Sequence, residues 1–498
     1  MAYVLLFSVF VIATCGLIYE LIAGALASYL LGDSITQFST VIGVYLFSMG
    51  IGSYFSKYIE RNLLFVFIQV ELLIGIVGGC SAAILFISFE YISSFRVLLY
   101  SLVSITGMLV GLEIPLLMRI LKTHFEFKDL IAKVFTFDYI GALLASLLFP
   151  LILVPHLGLV RSAFLFGILN VLVAMWALYL FRREVVWAGL LRGSAALILI
   201  SLVLGFVFSE RIMSFAEAAA YRDTVIYAKS SPYQRIVLTK AQDDIRLFLN
   251  GNLQFSSRDE YRYHEALVHV GMATLAAPKN VLILGGGDGL ALREVLKYPS
   301  VQSVTLVDLD PAMTGLFAHH PMLAALNAGA LGAKPVTIVN TDAFLWMRDN
   351  KQTFDFIAID FPDPSNYSIG KLYTNTFYRL VRRALNADGV LAVQSTSPYV
   401  AGKSFWCVDA TLRSVGFRTT PYHAYVPSFG DWGYIVASKR PFVAPKAFPA
   451  GLKFVNAQTV ADMLHFPADM PRQAVEVNKL NNQILVRYFE DEWSHYLN

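Results

Sequence analysis

Charge is scarce in this chain and cysteine is nearly absent. Only 15% of its 498 residues are Asp, Glu, Lys or Arg, against about 25% in a soluble globular domain, while hydrophobic residues reach 56%. Both a disordered chain and a wholly soluble one are thereby excluded. Three cysteines build no disulfide scaffold, and Cys15, Cys80 and Cys407 have no spacing for a metal site. A net charge of +3 leaves no broad basic field for nucleic acid. The deficit of charge is concentrated at one end: residues 1–208 hold 11 Lys/Arg and 10 Asp/Glu, the remainder 28 and 26. This asymmetry predicts a membrane domain fused to a soluble one.

A helix crossing the bilayer core needs about 20 apolar residues. Seven stretches qualify, over approximately 2–31, 35–56, 62–89, 97–118, 139–160, 162–181 and 187–208. The first reads as a retained span: no Lys or Arg precedes its apolar run, and Glu20 interrupts it. In the loops, Lys57, Arg61, Arg119, Lys122, Lys128, Lys133, Arg182, Arg183 and Arg192 fall on one side, and only Arg96 and Arg161 on the other. The positive-inside rule then puts the N-terminus inside and, after seven spans, the soluble half outside. The nucleotide chemistry read below belongs in the cytosol. The expectation is therefore a multi-pass protein of the cell membrane with a cytosolic catalytic domain, in which either the last stretch does not cross fully or the charge rule fails. Glu20, Glu71 and Glu113 each interrupt an apolar span that holds no Lys or Arg. Such acids face a protein interior or a water cavity. They read either as hydrogen-bonded structural groups or as a cavity for a cationic amine.

Past a short link (209–222), the pattern changes to strands at 225–228, 235–239 and 245–249, with Asn250-Gly251 as a hairpin turn. From residue 280, apolar strands (281–285, 303–309, 336–339, 354–360, 389–395) alternate with helices near 290–297, 312–326, 342–350 and 374–386. This alternation predicts a doubly wound parallel α/β sheet with its ligand beyond the carboxyl ends of the strands. The domains expected are a membrane domain (1–208), a linker with a small β region (209–279), a Rossmann-like catalytic domain (280–440) and a C-terminal tail (441–498).

Each strand end carries chemistry. The first runs into Gly285-Gly286-Gly287-Asp288-Gly289, a loop that lets a ligand approach the backbone at a helix N-terminus. It departs from the dinucleotide fingerprint, since Leu290 stands where the third glycine belongs. Asp308 ends the second strand, placed to accept from ribose hydroxyls or to cap a helix. Asp342, after the third, can accept from an adenine amino group or cap the next helix. With no Lys or Arg near the glycines, an S-adenosyl ligand fits better than NAD or ATP. The fourth strand ends in Asp360-Phe361-Pro362-Asp363-Pro364. Two carboxylates at one cleft mouth call for a cation, a polyamine or less readily a metal, because no His or third carboxylate stands at ligand spacing.

These residues resemble the polyamine aminopropyltransferases, the spermidine and spermine synthases, over roughly residues 230–440. The succession is Tyr233-Gln234-Arg235-Ile236, Leu249-Asn250-Gly251 through Gln254, Arg258 to Glu265, GGGDG with LREVLKYPSV, VDLDP, DFPDP, and Leu372 to Tyr378. The amino half also looks like the multispan domain fused to some members. The resemblance implies a Rossmann-like, methyltransferase-type sheet and decarboxylated S-adenosylmethionine as co-substrate, with no metal or other cofactor. It implies donor binding by Gln254, Gly285, Gly287, Asp288, Asp308 and Asp342. Asp360 and Tyr263 would be catalytic, while Gln234, His264 and Asp363 would line the amine acceptor, putrescine being favoured. The partners implied are these small molecules and the lipid bilayer, with self-association left open. Two departures bear on the acceptor: Phe361-Pro362 replaces small hydroxylic residues, and Tyr425 to Trp432 replaces a loop that usually carries Tyr. An S-adenosylmethionine-dependent methyltransferase and a non-catalytic polyamine transporter or sensor are the rival readings.

Overall fold

The computed structural model describes residues 2–31, 34–89, 92, 94–122, 125–182, 184–213 and 221–497. It divides into two compact units, Met1–Val225 and Ile226–Asn498.

The first unit is helical. Among the described residues six apolar helical stretches are long enough to cross a membrane. The helices are α1 (Ala2–Leu31), α2 (Ser34–Phe55), α3 (Leu63–Phe89), α4 (Phe95–Leu121), α5 (Phe127–Leu148), α6 (Gly158–Leu180) and α7 (Ala188–Val207). Two of them, α5 and α6, belong to one stretch of 54 residues interrupted by the π-helical segment Phe149–Leu157. At its end Gly158 takes φ +74°, a conformation glycine adopts at no steric penalty. The chain folds back there, because α1 meets both helices at one level: Thr14 donates to the Gly141 carbonyl of α5, and Cys15 lies 3.8 Å from the Phe166 carbonyl of α6. Glycines also let α2 and α4 touch backbone to backbone; a Cβ on Gly107 would lie 2.8 Å from the Tyr45 carbonyl oxygen.

One sequence expectation shifts here. The fifth helix starts at Phe127 rather than 139, so Lys128 and Lys133 lie within its first two turns and not in a loop. Arg183 and residues 214–220 of the expected link lie outside the described residues.

The second unit opens with a four-stranded sheet in the order β1 (Thr224–Ser230), β2 (Arg235–Ala241), β3 (Asp244–Leu249), β4 (Asn252–Ser256). Asn250 and Gly251 both take positive φ, 51° and 81°, as the two-residue turn between β3 and β4 requires. The main sheet contains β5 (Asn280–Gly285), β6 (Ser303–Asp308), β7 (Val336–Asn340), β8 (Phe354–Asp360), β9 (Leu385–Gln394), β10 (Arg418–Val426) and β11 (Gly430–Ser438). Its order is β10-β11-β9-β8-β5-β6-β7. Strands β5 to β9 run parallel, and β11 is inserted antiparallel between β9 and β10. Alternate residues of β5 enter two different cores, Val281 and Ile283 on one face and Leu282 and Leu284 on the other, which is why the strand is apolar throughout. The order changes direction at β5, so the crevice lies at the ends of β5, β6 and β8.

Strands β10 and β11 were not expected: residues 425–432 read as a loop, but only 427–429 turn between strands. The expected helix 312–326 is two helices, Pro311–His319 and Pro321–Leu326, broken because a proline disfavours the helical region for the residue before it.

Candidate active site

The glycine run gathers three strand ends. Gly285, Gly286 and Gly289 have φ of +84°, +64° and +77°. Side chains are excluded as well: a Cβ on Gly287 would fall 2.7 Å from the Asp308 carboxyl carbon, and one on Gly286 would fall 3.1 Å from Asp360 Oδ2. The loop is therefore where the carboxylates of β6 and β8 approach the backbone that follows β5.

On the β6 side, Asp308 accepts from the amides of Gly287 (3.0 Å) and Asp310 (2.9 Å). Burial nevertheless lifts its pKa to about 6. Asp310 is buried and ties the turn after β1 to the site, accepting from Ser231 Oγ at 2.7 Å and Gln234 Nε2 at 2.9 Å. Gln234, assigned to the acceptor by resemblance, is thus engaged at the end of β6. Asp342 caps the helix Ala343–Asp349 with Oδ1, and its Oδ2 pairs with Lys371 at 2.6 Å; the pairing holds its pKa below the ordinary value although burial opposes this. The Gln254 amide turns back to the Asn252 carbonyl.

On the β8 side, Tyr263 donates to Asp360 Oδ1 at 2.6 Å. Burial raises the Asp360 pKa, and the positive His264 and the Tyr263 bond oppose it. Both Tyr263 and His264 come from the helix Glu260–Met272. His264 Nδ1 donates to Glu260 Oε2 at 2.9 Å, and Arg293 clamps the same carboxylate through two bonds of 2.9 Å. Burial disfavours charge on His264, but Glu260 outweighs it and lifts the pKa to about 9, with Asp288 and Asp360 adding to the effect. A buried imidazolium thus faces the two aspartates. Asp288 accepts from the Leu290 amide that opens the helix after the glycines, and burial takes its pKa to about 6.

Asp363 accepts from Gln394 Nε2 (3.4 Å) and Thr396 Oγ1 (3.3 Å), and burial pushes its pKa to about 7. Gln394 also donates to the Phe361 carbonyl and to Tyr373 Oη, and accepts from Trp432 Nε1 at 3.2 Å. Thr396 has φ +56°, a strained conformation for a β-branched residue. It is held by its amide donating to Gln394 Oε1 and its carbonyl accepting from Gly433. Sequence reasoning had not picked out Gln394, Thr396 or Asp310. The signal was a run of polar residues, Gln394 to Ser397, at the carboxyl end of an apolar strand.

The site therefore has one flank at β5 and β6 and an acidic flank at β8 and β9, joined by the glycine loop. Comparison with known proteins places this arrangement. Residues 260–446 match the spermine/spermidine synthase domain. A polyamine aminopropyltransferase of Leptospira interrogans is 53% identical over 490 residues, covering 98% of each chain. The chain belongs to the polyamine aminopropyltransferase family. Polyamine aminopropyltransferase 2 of Ralstonia nicotianae is 54% identical, again over 98% of each chain, so the likeness includes the helical unit. The spermidine synthase of Thermotoga maritima is 31% identical over 49% of this chain and 85% of its own, with a TM-score of 0.45. Like those relatives, this polyamine aminopropyltransferase is an enzyme, a transferase.

In the helical unit Glu71 and Glu113 are both buried. Asn170 donates to Glu71 Oε2 at 3.0 Å, and Tyr19 to Asn170 Oδ1 at 3.4 Å. Glu20 is buried too.

Proposed function

We propose that this enzyme transfers the aminopropyl group of decarboxylated S-adenosylmethionine to a diamine, with putrescine as first choice, yielding spermidine and methylthioadenosine. The amine nitrogen attacks the methylene carbon beside the donor's sulfonium. The C–N bond forms as the C–S bond breaks, and the electron pair leaves on sulfur as a neutral thioether. Asp360, oriented by Tyr263, takes the proton that the new secondary amine sheds. Asp363 holds the distal ammonium, and Asp308 and the glycine backbone hold the nucleoside, with Gln254, Asp288 and Asp342 assigned to the donor by resemblance.

The observation that carries this reading is the 2.6 Å Tyr263–Asp360 bond with Asp363 three residues on, two acids on one flank to which no Lys or Arg is paired among the described residues. A methyltransferase would have to bring the donor's carboxylate to this acidic flank; the decarboxylated donor brings none. The helical unit is proposed as a multi-pass anchor of seven crossings, with the catalytic unit in the cytosol, where the donor is made. Incubating the protein with decarboxylated S-adenosylmethionine and a panel of diamines of graded length tests the acceptor. Putrescine should give the highest kcat/KM; a panel in which a longer amine wins would reassign it.

A further inference from the structure

The matched domain ends at residue 446, yet the segment beyond it is fastened into the site. Glu265, next to His264 on the same helix, is buried and accepts from three consecutive tail amides, those of Lys453, Phe454 and Val455, at 2.8–2.9 Å. Further on, Glu492 accepts from the Lys403 and Ser404 amides that open the helix Gly402–Ser414.

Between these anchors lies Asn478, fully buried. Its amide donates to Thr411 Oγ1, its carbonyl accepts from the Asn375 amide, its Nδ2 donates to the Gly370 carbonyl and its Oδ1 accepts from Leu485. Two of those four bonds grip both ends of the short segment Gly370–Asn375. That segment carries Lys371, paired with Asp342, and Tyr373, whose hydroxyl accepts from Gln394, itself bonded to Asp363. Gly370 abuts the tail directly, with Val486 and Gln483 where its Cβ would be.

We propose that Asn478 is a positioning residue for the transfer reaction: the C-terminal tail sets the Gly370–Asn375 segment, and through it the donor-side Asp342 and the acceptor-side Asp363 together. The proposal rests on the assignment of those two aspartates to the two substrates. Asn478→Asp tests it in the full-length protein, since it keeps the acceptor for Leu485 and removes the donor to Gly370. The expected result is a rise of about tenfold in the KM of both substrates, as for loss of one buried hydrogen bond, with faster hydrogen exchange of the amides in 370–375. Lys371→Met should raise only the donor KM and Tyr373→Phe only the amine KM. A merely structural role would reduce kcat by lowering the folded fraction and leave both KM values in place; that outcome, or unchanged exchange, overturns the proposal. Should Asn478→Asp fail to fold, Gly370→Ala disturbs the same contact from the other side, and unchanged KM values there overturn it equally. The exchange measurement needs no substrate, so it separates failure of the clamp from failure of the assigned chemistry.

Discussion

Asp360 and Asp363 sit three residues apart, but their surroundings give them different work. Asp360 receives one short bond from a phenol and faces an imidazolium, whereas Asp363 is held by an amide and a hydroxyl and has its pKa pushed to about 7. Asp360→Asn keeps the size and removes the proposed proton acceptor, so transfer should fall by about 10²- to 10⁴-fold while donor affinity stays within a few-fold. Single-turnover rates and equilibrium binding check this; full turnover by the variant would remove Asp360 from the mechanism. Ligand-free stability follows from the same electrostatics. Asp288 and Asp308 are raised to about 6 and Asp363 to about 7 from an ordinary value of 3.8, and His264 to about 9 from 6.5. A group whose folded pKa is raised stabilises the fold fully below its unfolded pKa, and that contribution is lost as pH climbs through the folded pKa. Stability from these aspartates should therefore fall between about pH 4 and pH 7, and that from His264 between about pH 6.5 and pH 9. Asp363→Asn should raise the ligand-free melting midpoint near pH 8 and leave it unchanged near pH 4. A midpoint at or below the unsubstituted protein's near pH 8, followed by tryptophan fluorescence, contradicts the sign.

At the scale of elements, the parallel strands were legible because they are short apolar runs between helices, the central β5 and β8 being buried on both faces and the edge strand β7 only partly. The glycine run was legible because its backbone leaves no room for side chains. Gly287→Ala should therefore displace Asp308 and raise the donor KM by about tenfold or more, with the amine KM little changed; equal donor KM values would mean that the loop gives way freely. Strands β10 and β11 escaped notice because their apolar alternation is interrupted by Pro421, His423, Asp431 and Trp432, of which His423 and Trp432 meet partners far along the chain. His423 bonds Asp431 and the His465 carbonyl, and Trp432 bonds Gln394. Gln394 and Thr396 were hidden for the same reason: a hydrogen bond to Asp363 from more than thirty residues away leaves no local pattern. Asp342 shows the opposite case, since the cap that its sequence position also permitted is formed, with Lys371 added from across the site.

At the scale of the molecule, composition predicts an apolar unit ending at 208, and the structure divides the chain at Val225. The loop charges and the site chemistry disagree about sidedness, and Lys128 and Lys133, in the first two turns of α5, stay at the same end of that helix and leave the conflict in place. A reporter fused after Asn498 should be active only in its cytosolic form; activity of an extracytoplasmic reporter alone would place the catalytic unit outside and require substrates from there. The central claim, aminopropyl transfer at the acidic flank, is tested most directly by mass-balance product analysis. The full-length enzyme is supplied with putrescine and either decarboxylated S-adenosylmethionine or S-adenosylmethionine. The expected result is methylthioadenosine and aminopropylated amine in equal amounts from the decarboxylated donor only. Methylated amine and S-adenosylhomocysteine from the intact donor, or binding of the decarboxylated donor with no methylthioadenosine formed, would contradict it.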